Sequence, residues 1–270
     1  MKINLLSILL ILFPIRLVSG TNINIPSQMM VMDTQVFISE SGRKIIREKM
    51  SNISKVPRNL SHIVHNAKIY FHIVNKILKQ EAVPTDSFYI MLLESHGDGG
   101  AVAYTKATGY WQFKETAALE SGLIINNYID ERKHIILSTY GFCKYLKILY
   151  RSLGNWMWAI MGFYSGAGGT KKFIKQNNLK IHNNKIHINK SSHFYLQLFI
   201  AYKLLIDKYI GIVKLPIKLV TRPCNNMTVN NICRKYNIDK VMFMQYNKWI
   251  LKSRVPKKNR CKAIIPYRCK

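Results

Sequence analysis

The segment Pro84–Gly100 reads PTDSFYIMLLESHGDGG, and it sets the local fold around it. Its opening Pro-Thr-Asp is a helix-start signal, because proline fits the first helical turn and an acid suits the positive helix end. The apolar run Phe88–Leu93 predicts a buried face, and the glycines from Gly97 onward should end the helix. The pattern therefore predicts a short buried helix with Glu94 near its carboxyl end.

The position of Glu94 suggests acid/base chemistry. The negative end of the helix dipole disfavours its ionised form, and burial against apolar residues does the same. Both effects raise the carboxyl pKa, which suits a general acid near neutral pH. From these facts alone, a glutamate that sits at a helix end and faces solvent is the other interpretation.

Outward from this helix the pattern is mainly α. Residues 21–34 are predicted to be an irregular lead-in, and helical spacing dominates from Gln35 to about Val213. A helix from Trp156 should end at the glycines 166–169, and residues 177–190 should form a polar, solvated loop. After Pro216 the pattern changes to strand, helix, helix and strand over residues 217–267, which predicts a small α+β module.

The five cysteines divide between the two parts. Cys143 lies in an apolar helical pattern and is expected to be a buried small hydrophobe. Cys224, Cys233, Cys261 and Cys269 fall in the last fifty or so residues. In an oxidising compartment at least one bridge is expected among these four. No close Cys-x-x-Cys pair supports a zinc site.

The amino terminus resembles a secretory signal. Met1-Lys2 is basic, Leu5–Phe13 is apolar, and Val18-Ser19-Gly20 offers small residues for cleavage. The apolar run is short for a membrane span, so residues 1–20 are predicted to be a cleaved signal peptide, with an uncleaved anchor as the alternative. We expect export across the inner membrane to the periplasm or cell envelope.

The formal net charge is +28, which predicts anionic partners. A nucleic-acid role is disfavoured, because the sequence carries a signal-like start and none of the usual recognition motifs. Association with anionic wall polymers or a membrane surface is the expectation that charge leaves open.

Several motifs occur in the order and spacing of one known domain. The sequence resembles the lytic transglycosylase (goose-type lysozyme-like) family, and within it the membrane-bound lytic murein transglycosylase D group. The resemblance covers roughly residues 35–210, within a domain expected over residues 21–213 with its core at 81–178. The segments that carry it are Leu93-Glu94-Ser95, Ala107–Phe113, Asp130-Glu131-Arg132 with Ser138-Thr139, Tyr164–Gly168 and Tyr195.

The resemblance implies a helical lysozyme-like fold and one catalytic glutamate, Glu94. In that family a single glutamate protonates the bond between N-acetylmuramic acid and N-acetylglucosamine, then deprotonates the muramoyl C6 hydroxyl to close a 1,6-anhydro ring. Neither a cofactor nor a metal is implied. A two-carboxylate hydrolase would need a partner about 5–10 Å away, and Asp98 is the weak candidate for it.

By the same resemblance, other side chains would contact substrate. Ser95 would support Glu94 or the glycan, and Gln112 would bind sugar near the cleavage point. Tyr110 and Trp111 would help to wall the cleft, and Tyr164 and Tyr195 would lie close to the Glu94 carboxyl. The remaining implied substrate-binding residues are these four and Ser165.

Departures from the family pattern bear on activity. Ser165 follows Tyr164 where the family usually has Asn, Lys106 replaces a glycine, and Tyr110 replaces a leucine. An impaired peptidoglycan-binding protein on the same fold is therefore the alternative.

Residues 217–267 resemble a LysM module, a β-α-α-β unit that binds N-acetylglucosamine-containing glycans. The cues are Met227–Ile232, Tyr236–Ile238 and Tyr246-Asn247. Because every catalytic motif precedes residue 213, the sequence predicts that this first part cleaves soluble glycan fragments alone. Peptidoglycan glycan strands are the implied partner.

Overall fold

The structure is a computed structural model that describes residues 23–180, 184–211, 217–257 and 260–268. It is mainly α-helical, which confirms the predicted fold class. The predicted signal segment, residues 1–20, lies outside the described residues. The helices are α1 (Glu40–Ser54), α2 (Pro57–Gln80), α3 (Phe88–Ser95), α4 (Glu115–Glu120), α5 (Ile135–Leu153), α6 (Trp156–Gln176), α7 (Phe194–Ile210), α8 (Val229–Lys235) and α9 (Lys240–Tyr246).

Helix α3 lies at the centre of the main core. Its residues from Phe88 to Leu92 are all buried, and it packs against α2 and α7. A helix that is apolar on every side must be enclosed by other elements, and the longer amphipathic helices supply that enclosure. The prediction of a buried helix ending near Glu94 is confirmed.

The prediction of an irregular lead-in was wrong. Strands β1 (Gln28–Val31) and β2 (Thr34–Ile38) form a hairpin, and β3 (Lys185–Ile188) pairs in parallel with β2. The hairpin turn is Met32-Asp33, where both residues have positive φ without a glycine to signal it. Asp86 accepts a hydrogen bond from the Met32 backbone N–H at 2.8 Å, which supports this turn from a distant segment.

Strand β3 corrects the sequence prediction. Ile186 and Ile188 are buried and alternate with exposed neighbours, so the polar segment 177–190 contains an edge strand. In α6 the backbone is not helical at Gly166, where φ is 75° and ψ is 159°. The helix that starts at Trp156 is therefore broken at the glycines, as predicted, and a second helical piece continues to Gln176.

A short turn precedes α5. Residues Glu131–Lys133 form a single 3₁₀ turn that Asp130 caps, and α5 begins only at Ile135. The His134 ring accepts the Leu137 N–H and so marks the start of the regular helix.

Residues 217–268, which we call the C-terminal unit, have the predicted strand–helix–helix–strand order. Strands β4 (Ile217–Pro223) and β5 (Lys262–Arg268) pair antiparallel, and α8 and α9 lie between them in sequence. The unit has its own apolar cluster, centred on Phe243 and Trp249.

The cysteines correct one expectation and confirm another. Cys143 is a buried thiol, as predicted. Cys224, Cys233 and Cys261 are also free and buried, so the expected bridge is not formed among these described cysteines. The Cys224 thiol instead donates to the Cys261 carbonyl oxygen at 3.5 Å. Cys269 lies outside the described residues.

Candidate active site

Glu94 stands where α3 ends. The helix stops because His96 adopts a left-handed conformation with φ of 55°, and Gly97 follows with φ of 74°. The Asn66 side-chain amide donates to the His96 carbonyl oxygen at 2.9 Å and holds this turn against α2. The carboxyl of Glu94 is thereby fixed at the rim of the core.

Tyr195 from α7 binds the Glu94 carboxyl directly. Its hydroxyl donates to Oε1 at 2.6 Å, although the two residues are 101 positions apart. Burial raises the pKa of Glu94, and this hydrogen bond opposes the rise only in part. The carboxyl therefore keeps its proton to a higher pH than an ordinary glutamate, as a general acid requires.

An aromatic stack leads from Glu94 to the surface. The ring of Tyr164 stacks on that of Tyr195, with centroids 4.7 Å apart. Tyr195 is only 1% exposed, whereas Tyr164 is 51% exposed. Tyr164 also contacts the rings of His193 and Phe194. An exposed ring over a buried carboxyl site is a surface on which a sugar ring can pack.

Ser95 serves the backbone around Glu94. Its hydroxyl donates to the Tyr110 carbonyl oxygen at 2.7 Å and to the Met91 carbonyl oxygen at 3.1 Å. The serine therefore joins the end of α3 to the segment 107–113. In this structure Ser95 therefore holds the backbone next to Glu94 in place.

Tyr110 and Trp111 lie beneath the site. The Tyr110 hydroxyl is hydrogen-bonded to that of Tyr70 at 3.0 Å. Trp111 is fully buried, stacks on Phe142 with centroids 3.7 Å apart, and donates to the Thr139 hydroxyl. Both rings belong to the main core, and neither offers a face to solvent.

Gln112 lies partly exposed in a tight turn with φ of 48°. Its amide nitrogen donates to the carbonyl oxygens of Gly109 and Ala101 at 2.9 and 3.2 Å. Gly109 has φ of 83°, and a Cβ there would stand 2.1 Å from the Arg132 carbonyl oxygen. This close approach explains why the Ala-Thr-Gly and Asp-Glu-Arg motifs meet, since only glycine fits between them.

Ser165 does not reach Glu94 in this structure. Its hydroxyl donates to the Met161 carbonyl oxygen at 3.0 Å and shares a hydrogen bond with the Thr170 hydroxyl at 3.1 Å. The residue that replaces the usual asparagine thus serves the kinked helix α6 itself.

Sequence reasoning missed two residues near the acid. Tyr202 follows Tyr195 by two helical turns, and burial together with the charge of Glu94 raises its pKa to about 12. Helical spacing from Tyr195 could have indicated it. Lys248 binds Asp98 with Nζ–Oδ1 at 2.6 Å, and no local signal in the sequence indicates this contact.

Asp98 is occupied by other partners. Burial alone would raise its pKa, but hydrogen bonds from Lys248 and the Gly100 backbone N–H, with the lysine charge, hold it below its usual value. A carboxylate with a lowered pKa is a poor general base. The geometry therefore gives Glu94 and Asp98 different electrostatic surroundings.

Part of the chain is similar to known transglycosylases. Residues 72–186, a range that contains Glu94 and Tyr164, match the model of the family described as Transglycosylase SLT domain. Two relatives, each named Membrane-bound lytic murein transglycosylase D and coming from two Escherichia coli strains, are 24% identical over 136 residues. The match covers 50% of this chain and 30% of each relative. At the family level the chain is similar to lytic transglycosylases that act on peptidoglycan.

Proposed function

We propose that this protein is a peptidoglycan lytic transglycosylase in which Glu94 is the single acid/base. The observation that carries the proposal is the partly buried Glu94 carboxyl, with its raised pKa and its hydrogen bond from Tyr195. The family match over residues 72–186 and the similarity to two lytic murein transglycosylases support the substrate class.

The chemistry follows from one carboxyl used twice. Protonated Glu94 gives its proton to the glycosidic oxygen between N-acetylmuramic acid and N-acetylglucosamine, and that bond breaks. The resulting carboxylate takes the proton of the muramoyl C6 hydroxyl, whose oxygen closes onto C1 as a 1,6-anhydro ring. The carboxyl ends protonated, so it is ready for the next cycle.

The surroundings of Glu94 suit both half-reactions. Burial favours the neutral acid, whereas the Tyr195 hydroxyl stabilises the carboxylate once the proton has left. The exposed Tyr164 ring provides a wall beside which a sugar can stack. Asp98, with its lowered pKa and its bond to Lys248, is poorly suited to activate water in a hydrolase.

Mass spectrometry of digested peptidoglycan tests the proposal. We expect muropeptides with 1,6-anhydro ends and loss of their formation in Glu94→Gln, by roughly 10²–10⁴-fold in rate as for a removed acid/base group. Glu115→Gln is a matched control, because Glu115 is an exposed glutamate at the start of α4. Reducing ends would indicate a hydrolase, and near-normal turnover by Glu94→Gln would refute the assignment.

A second candidate is a peptidoglycan-binding protein with impaired catalysis. The hydrogen bonds of the Ser165 hydroxyl favour it, since they go to Met161 and Thr170 within α6 and not to Glu94. Binding to sacculi with no released fragments would select this function.

We also propose action in the cell envelope, with the C-terminal unit as a LysM-like glycan-binding module. Its β-α-α-β order and basic charge support binding to an anionic wall. Within the part of the chain that the structure describes, no helix is both long and apolar enough to cross a bilayer. Sacculus pull-down at rising salt tests the module, because charge attraction is screened whereas pocketed sugar contacts persist.

A further inference from the structure

The C-terminal unit contacts the segment that precedes α5 through its backbone. The Asp130 N–H donates to the Trp249 carbonyl oxygen at 3.0 Å, and the Leu251 N–H donates to the Tyr128 carbonyl oxygen at 2.9 Å. Ile129 pairs with Ile250 as a β-bridge between these bonds. Directed backbone bonds of this kind fix one orientation between the two parts.

A buried acid anchors the same junction. Glu131 is fully buried, and both of its carboxyl oxygens accept from the Arg260 guanidinium, at 3.1 and 2.5 Å. A bidentate pair of this type adds directional specificity to the contact. The C-terminal unit is therefore docked on the catalytic part by hydrogen bonds and charge as well as apolar contact.

A third contact reaches the segment that follows the catalytic glutamate, residues 96–100, which we call the post-glutamate loop. Asp98 Oδ1 accepts from Lys248 Nζ at 2.6 Å and from the Gly100 N–H at 2.7 Å. The Asp98 N–H in turn donates to the Ser95 carbonyl oxygen at 3.0 Å. A continuous set of bonds therefore runs from Lys248 to the residue beside Glu94.

The fit between Lys248 and this loop is close. A Cβ on Gly100 would lie 2.7 Å from the Lys248 side chain, so the lysine stem covers that glycine. A Cβ on Gly99 would lie 2.5 Å from the ring of Tyr110, the residue whose backbone carbonyl oxygen accepts from Ser95. The loop is held between the C-terminal unit on one side and the segment 107–113 on the other.

We propose that Lys248 is a positioning residue for Glu94, so that the C-terminal unit forms part of the catalytic machinery. This inference rests on the proposed function for its kinetic consequence. The Lys248–Asp98 pair fixes the post-glutamate loop, which fixes where α3 ends and where the Glu94 carboxyl stands. The sequence had predicted a first part that cleaves soluble fragments independently.

The Lys248–Asp98 pair should affect turnover more than global stability. Lys248 and Asp98 are 39% and 38% exposed, and pairs of that exposure add little to global stability. Misplacing a catalytic group by about 1 Å, however, can cost about 10²-fold in rate. Loss of the pair should therefore reduce turnover with little effect on unfolding.

The test uses the full chain and soluble peptidoglycan fragments. We expect Lys248→Met to lower kcat by roughly 3- to 30-fold, below the limit for a displaced catalytic group, with KM changed by less than about twofold. Lys248→Arg should retain most of the wild-type kcat. The double variant Asp98→Asn with Lys248→Met should have a kcat no lower than that of either single variant, because both changes remove the same contact. Lys257→Met, at an exposed lysine of the same unit, should match wild type.

Hydrogen exchange provides a readout that does not depend on catalysis. Lys248→Met should speed exchange of the Asp98 and Gly100 amides relative to wild type and Lys257→Met. Unchanged exchange of this loop, or unchanged kcat in an active enzyme, would overturn the inference. An inactive wild type would refute the proposed function, and the exchange result would still decide whether Lys248 orders the loop.

Discussion

Replacement of Tyr195 by phenylalanine removes one hydrogen bond to Glu94 and leaves the carboxyl in place. The Tyr195 hydroxyl donates to Oε1 at 2.6 Å and is almost fully buried. Phenylalanine keeps the ring that stacks on Tyr164. The variant therefore changes the electrostatics of the acid while the packing around it is retained.

The size of the effect follows from the bond. A hydrogen bond to a charged group is worth about 1.5–3 kcal/mol, and one pKa unit corresponds to about 1.4 kcal/mol. The bond stabilises the carboxylate more than the neutral acid, so its loss should raise the pKa of Glu94 further. Burial, which already raises this pKa, is unchanged.

The assay is the pH dependence of kcat/KM on soluble glycan fragments. A general acid works while protonated, so activity falls as pH rises through its pKa in the free enzyme. In Tyr195→Phe this alkaline limb should move to higher pH. Tyr202→Phe is the matched control, because burial and the charge of Glu94 raise the pKa of Tyr202, whereas the hydrogen bond to the carboxyl comes from Tyr195. A limb that stays in place, moves to lower pH, or moves equally in both variants would refute the reasoning.

Three further outcomes test the fold and the site. Because burial raises the pKa of Glu94, ionisation of this carboxyl destabilises the folded state. Glu94→Gln should have the same free energy of unfolding as wild type at acid pH and a higher one than wild type above the ordinary pKa range of glutamate. Urea titration at several pH values measures this difference. Arg260→Ala removes the ion-pair partner of the buried Glu131 and should lower the free energy of unfolding by about 2–3 kcal/mol. This is below the roughly 3–5 kcal/mol typical of buried pairs, because Arg260 is 50% exposed. An unchanged urea midpoint would contradict this. Cys224 comes directly after Pro223 and Cys261 directly before Lys262, the last pair of the β4–β5 ladder, so the two cysteines continue the register opposite each other. Refolding with oxidised glutathione as the electron acceptor should join them, and peptide mapping would detect the bridge. A bridge that uses Cys233 would contradict the register.

Local signals were enough to predict the helix that carries the acid. Its start signal, apolar run and terminal glycines all act within a few residues, and they placed Glu94 at the end of a buried helix. The strand–helix–helix–strand order of the last fifty residues was predicted in the same way. The β1–β2 hairpin was missed because its turn, Met32-Asp33, has positive φ without glycine and is stabilised by Asp86 from a distant segment.

Contacts between distant residues were decided by the tertiary structure. Tyr195 lies 101 positions from Glu94 and Lys248 lies 150 positions from Asp98, and periodicity within one helix carries no information about which distant helix will pack on it. The motifs identified Glu94, but they did not show that Trp111 is buried and Tyr164 exposed, because that depends on how the helices pack. The sequence determined which carboxyl we propose as the acid/base and the type of element that carries it. Packing determined its pKa, its hydrogen-bond partner and the support of its loop, because each depends on side chains that only the folded chain brings together.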